Sequence, residues 1–128
     1  MELDTFASDI RKAFPVGTVI ENPGGGTSTI MYFTETHVSY KRGRSKIAVG
    51  FTDLYEAYDR FRGQEVSSTD LRELWPSVFD SAARPAGHSC NCTFLFCLLE
   101  GLRLSGPISG SGVRGDPYLV KVDIDGAV

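Results

Sequence analysis

In the segment LDTFASDIRKAF, Leu3, Phe6, Ile10 and Phe14 recur at the spacing of one helical face. Asp4 stands where a cap is expected, and Pro15 ends the run. The period then changes. Thr18 to Glu21 and Thr29 to Thr34 are rich in β-branched and aromatic residues, and NPGGG at 22–26 is a turn between them. His37 to Tyr40 and Lys46 to Val49 read as two further strands around the hairpin tip RGRS. The pattern predicts a small antiparallel sheet behind an N-terminal helix.

Helical spacing returns in FTDLYEAYDRF, where Thr52 and Glu56 mark a start, Leu54, Tyr55, Tyr58 and Phe61 form an apolar face, and Gly63 marks the stop. VSSTDLRELWPSVF offers two serine caps and then Leu71, Leu74, Trp75, Val78 and Phe79, with Pro76 bending the helix or dividing it. NCTFLFCLLEGL is a third helix. Last come a glycine-rich loop, a short apolar piece at Ile108 and a strand from Tyr118 to Ile124. The expected fold is α+β and a single domain over 1–128. Its parts are an N-terminal helix and small sheet over 1–50, then three helices and a C-terminal β-hairpin over 52–124.

A helix, a second helix opening VSSTDL, a turn, a third helix and a glycine-tipped hairpin: this order resembles the winged helix-turn-helix family. The resemblance implies a DNA-binding module whose third helix enters the major groove while the hairpin, or wing, touches the backbone or minor groove. One departure matters. A reading helix must offer donors and acceptors to base edges, but residues 94–99 are Phe, Leu, Phe, Cys, Leu and Leu, which is the composition of a buried helix. Any DNA contact near the third helix is therefore expected from its N-terminus and the preceding loop.

Charge refines this picture. A net charge of −3 disfavours a protein that coats nucleic acid indiscriminately, but the charges are segregated. Residues 53–80 hold Asp53, Glu56, Asp59, Glu65, Asp70, Glu73 and Asp80, whereas KRGRSK at 41–46 holds bases alone. From 84 to 115, Arg84, Arg103 and Arg114 face only Glu100. The candidate contacts to double-stranded DNA are therefore Lys41, Arg42, Arg44 and Lys46 on the hairpin tip, and Arg114 on the wing. To these the start of the third helix adds Arg84, His88, Ser89, Asn91 and Thr93. At the helix start, unpaired backbone N–H groups suit an anion, and Ser89 or Asn91 acting simply as a cap is the structural alternative. The tip bases have an alternative role too, as guards of an exposed strand. A compact, partly apolar reading loop (Pro85, Ala86, Cys90) suits a small feature such as a modified base or backbone group. The chain reads as a free regulator or as the targeting part of a larger protein such as a nuclease.

Other chemistry finds less in the sequence. Cys90 and Cys92 are one residue apart with no second pair, which is not the spacing of structural zinc, so no metal or other cofactor is expected. His88 beside Cys90 raises a cysteine-dependent enzyme as an alternative, although working Cys–His pairs usually meet through the fold. Carboxylates at helical spacing read as solvated surface, and neither glycine-rich loop has the context of a phosphate-binding loop. Non-catalytic DNA binding is the expected function. Its rival is a protein-interaction domain (a small inhibitor, immunity factor or adaptor) using the acidic 53–80 face. With no apolar run near a membrane-spanning length, and three clustered thiols suited to a reducing compartment, a cytoplasmic protein without membrane attachment is expected.

Overall fold

The computed structural model describes residues 1–83, 85 and 87–124. The fold is α+β. Helix α1 (Leu3–Ala13) leads into a sheet of β1 (Val19–Glu21), β2 (Thr27–Phe33), β3 (His37–Arg42) and β4 (Ser45–Gly50), antiparallel throughout and in the order β1-β2-β3-β4. Next come α2 (Phe51–Arg60), β5 (Glu65–Ser67), α3 (Ser68–Leu74), α4 (Pro76–Phe79), α5 (Cys90–Gly101) and β6 (Leu119–Lys121). β5 pairs antiparallel with β6, and bridges from Ser105 to Val122 and from Ser109 to Leu119 lay the 105–109 segment along the other side of β6. No helix among the described residues is long and apolar enough to cross a membrane.

The helix starts are where local signals and structure diverge. Asp4 lies inside the first turn of α1, and the preceding Glu2 makes no side-chain cap, so Asp4 acts through the helix dipole. Thr52 lies inside α2, because β4 runs straight into the helix: Gly50 is its cap residue and the Phe51 N–H donates to the Thr36 carbonyl at 2.8 Å. At α3 the sequence signal is realised. The Ser67 Oγ accepts from the Asp70 N–H at 3.1 Å while the Asp70 carboxylate accepts from the Ser67 N–H at 2.9 Å, so two orphan donors are satisfied reciprocally. Pro76 then opens α4, where its missing N–H loses no helical bond.

The organising element is α5. Residues Asn91 to Leu99 are buried without interruption, and the C-terminal turn is closed off by Phe14, whose ring leaves no room for a Cβ at Gly101. A helix apolar on every side needs a cover on every side. On one flank stand α3 and α4, with Leu71 and Phe79 fully buried. The N-terminal sheet is the other. The Tyr40 ring stacks on Phe94 with centroids 3.8 Å apart, and its hydroxyl donates to the Asn91 Oδ1 at 2.7 Å. The Asn91 amide then donates to the Val78 carbonyl at 2.9 Å, so one side chain joins β3, α5 and α4. A further apolar seam runs through α1 and α2, where Phe6 stacks on Tyr58 and meets Tyr55 edge-on. One hydrophobic cluster thus extends from Phe6 to Val122 through both halves of the chain.

Removing the Tyr40 hydroxyl leaves the buried Asn91 Oδ1 without its donor. Tyr40→Phe is therefore expected to destabilise the fold by about 1–3 kcal/mol. Phe94→Ala, which leaves a cavity under the same ring, is expected to cost about 3–5 kcal/mol. Urea denaturation of the two variants beside the parent chain measures both.

Candidate nucleic-acid interface

Three arginines from distant parts of the sequence line one groove. Arg42 comes from the end of β3, Arg72 from α3 and Arg114 from the loop before β6. The groove has two adjoining compartments. The outer one, about 610 Å³, is lined by Ser68, Thr69, Arg72, Gly112, Arg114 and Pro117, among others. The inner one, about 210 Å³, runs past Arg42, Ser89, Cys90, Thr93 and Tyr118. Ser68, Arg72 and Gly112 belong to both. Among the described residues no carboxylate lines either compartment. Of the acids near these residues in sequence, Asp70 is engaged in the cap of α3 and Asp116 on the N–H and hydroxyl of Ser111, while Glu73, beside Arg72, is exposed and lines neither compartment.

Strand alternation decides which bases of the tip face the groove. Arg42 lies on the same side of β3 as Tyr40 and Val38, toward α5, and its guanidinium donates to the Thr93 Oγ1 at 2.9 Å. Lys41 and Lys46 stand directly opposite each other across the β3–β4 ladder, on the other face and exposed. Arg44 sits exposed in the two-residue turn, where the positive φ of Gly43 matches the twist of a tight hairpin. The tip is thus divided, with one arginine turned into the groove and the remaining bases turned outward.

The loop before β6, expected as the wing, is shaped by its glycines. Gly110 passes so close to the Pro117 carbonyl that a Cβ has no space, which brings the two limbs of the loop together. Val113 to Asp116 forms a turn closed by the Asp116 N–H on the Val113 carbonyl at 2.9 Å, with Gly115 at positive φ. Arg114 stands at its tip, exposed. Tyr118 packs against Gly112 and reaches Gly24 of the β1–β2 turn, where a Cβ would stand 2.7 Å from its hydroxyl. The N-terminal sheet and the wing therefore close around the same groove.

The start of α5 differs from expectation. Ser89 has helical dihedrals, not the extended ones of a side-chain cap, and it pairs reciprocally with Ser81. The Ser81 N–H donates to the Ser89 Oγ at 3.1 Å and the Ser89 N–H to the Ser81 Oγ at 2.9 Å. The N–H groups of Asn91 and Cys92 close tight turns onto His88 and Ser89. Few free backbone donors remain for an anion. Asn91 and Thr93 are turned inward, with their polar ends committed to Tyr40, Val78, Arg42 and Cys90. His88 is half-buried, its N–H donating to the Val78 carbonyl. Arg84 lies outside the described residues. Of the described residues expected at this helix start, Ser89 and Thr93 line the groove, and His88 and Asn91 do not.

Sequence reasoning passed over Arg72, Ser68 and Tyr118. Arg72 lies within the acidic segment, which hid it. Arg72 nevertheless stands three residues after Thr69 and four after Ser68 behind the Ser67 cap, so both polar residues neighbour it on a short helix, and that spacing is the available signal.

Two of the thiols are core. Cys92 points its Sγ toward the carbonyls of Ser68 and Phe79, and burial pushes it up to about 12. Burial, with Glu100 adding to it, pushes Cys97 up to about 11. Cys90 is half-buried on the wall of the inner compartment. Among the described residues no group of three or more potential ligands is placed to hold a metal ion. Compared with known proteins, the chain matches no family model, no curated protein and no solved structure.

Two measurements follow from the thiols. Iodoacetamide on the native chain is expected to add one label, at Cys90, with all three appearing only after denaturation; intact mass and peptide mapping read this. Burial also raises Tyr40 above its ordinary value. The folded chain thus keeps protons on Cys92, Cys97 and Tyr40 that the unfolded chain releases at lower pH. Their contribution to stability is complete below about pH 8.5 and falls progressively above it. Urea midpoints at neutral pH and at about pH 10.5 should show a clear loss at the higher value.

Proposed function

We propose that this chain is a DNA-binding module of winged-helix design with no catalysis of its own, gripping the phosphate backbone along the arginine groove. The observation that carries the reading is the convergence of Arg42, Arg72 and Arg114 on one concave surface that, among the described residues, no carboxylate lines. Among the described residues no carboxylate pairs with these guanidiniums: Arg42 reaches a hydroxyl, and Arg72 makes a long 3.4 Å approach to the Thr69 Oγ1. The element order adds support, since α2, β5, α3, α5, the 105–109 segment, the glycine loop and β6 follow one another as in winged helices. A further support is Lys41 opposite Lys46. Like charges directly across a ladder destabilise it, and a polyanion beside them relieves the repulsion.

The mode of reading departs from the usual one. Because α5 is enclosed, its side chains offer nothing to base edges, so affinity rests on phosphate contacts and on whatever local feature the groove accepts. Arg42, Arg72 and Arg114 are the inner contacts. Lys41, Arg44 and Lys46 add a salt-sensitive fringe from the hairpin tip.

Fluorescence anisotropy with a labelled duplex at low and moderate salt tests the proposal. Binding should weaken steeply with salt. Arg72→Glu combined with Arg114→Glu should weaken it by about tenfold or more and flatten the salt slope by about 2. If the parent chain shows no salt-dependent affinity for duplex, the groove is not a DNA site and the acidic 53–80 surface becomes the place to seek a protein partner.

A further inference from the structure

We infer that the inner compartment holds the terminal phosphate of a DNA strand, so that the module reads strand ends. The inference rests on the DNA-binding reading and adds the chemical group that the groove selects.

Arg42 and Arg72 line a shallow, open recess of about 210 Å³ with the hydroxyl-bearing residues Ser68 and Ser89, while the Thr93 hydroxyl on the same wall is engaged by Arg42 and the Cys90 carbonyl. Such a lining suits a compact, highly charged oxyanion better than a nucleobase. The charge count distinguishes between phosphates. An internal phosphodiester carries one negative charge, whereas a phosphomonoester carries about 1.5–2 at neutral pH and presents three strong acceptor oxygens. Two arginine forks match the second group.

The recess is also prepared for its ligand. Thr93 accepts from the Arg42 guanidinium and donates its own hydroxyl to the Cys90 carbonyl at 3.3 Å, so the arginine is held in place before anything binds. Ordering that has already occurred is not charged against affinity. Beyond Arg72 the recess opens past Gly112 into the outer compartment, where Arg114 is the one further guanidinium. The two compartments meet at Ser68, Arg72 and Gly112, with the Tyr118 ring packed on Gly112. A strand whose end sits between Arg42 and Arg72 thus has a continuous path for its next phosphates toward the wing. The enclosure of α5 points the same way: with no base-reading helix, discrimination has to come from a local chemical feature, and a strand end is one.

The test compares duplexes of one sequence with 5′-phosphate ends, 3′-phosphate ends or hydroxyl ends, and a closed dumbbell that has no ends, by anisotropy competition against the full chain. The expected result is that one type of phosphorylated end competes about tenfold better than hydroxyl ends and the dumbbell. Arg42→Gln should abolish that difference. Iodoacetamide labelling of Cys90 supplies a readout that needs no variant: phosphorylated duplex should slow it, and the dumbbell should slow it less. Equal, salt-sensitive competition by all four duplexes overturns the strand-end inference and leaves the DNA-binding reading standing. Absence of binding to any of them overturns both. Inorganic phosphate alone should compete with phosphorylated ends only at far higher concentration. If it protects Cys90 as well as a phosphorylated duplex does, the recess is a site for free anion and the inference fails.

Discussion

Everything in this molecule is arranged around a helix that cannot face water. From Phe94 to Leu99, α5 carries apolar side chains in every direction, and the two flanks that enclose it come from the N-terminal sheet and the middle of the chain. The stacking of Tyr40 on Phe94 and the bond from Tyr40 to Asn91 form the seam where they meet. Burying a hydroxyl and an amide is unfavourable unless each finds a partner, and here each does. The same pair of groups therefore fixes the angle of the sheet over the helix. This is why β3, and with it Arg42, arrives at the start of α5 and nowhere else.

That constraint divides the polar residues near α5 into two sets. Asn91, Thr93 and Ser89 are committed to partners within the protein, and their work is to hold the hairpin, the α3–α4 segment and the helix start in register. The arginines at the margin keep guanidinium donors in excess of what the protein uses. A surface on which several cations converge without carboxylates is under self-repulsion, and an anionic ligand removes it. The chain as a whole is acidic, yet its acids are occupied with caps and turns or lie apart from the groove. Local distribution, not net charge, sets the character of the groove.

Much of the fold was legible because it follows from local pattern. The change from helical spacing to β-branched runs marked the sheet, Pro76 marked the division of α3 from α4, and positive-φ glycines marked the turns at 43 and 63. The short strand Glu65–Ser67 was not legible. With three residues it has no period of its own, and it exists because β6, more than fifty residues later, pairs with it. The starts of α1, α2 and α5 also escaped: none carries the side-chain cap that composition suggested, with a backbone bond to Thr36 standing in at α2 and a serine pair at α5.

By itself the sequence determined the α+β class, the enclosure of the third helix and the separation of basic from acidic segments. All three depend on which residue types are near one another along the chain. Only the tertiary structure decided that Arg42 turns inward while Lys41 and Lys46 turn outward, that Asn91 is spent on the core, and that Arg72 joins Arg42 and Arg114 in one groove. Strand register and helix packing bring residues together across long sequence separations, and pair energies at such distances leave no mark on local composition.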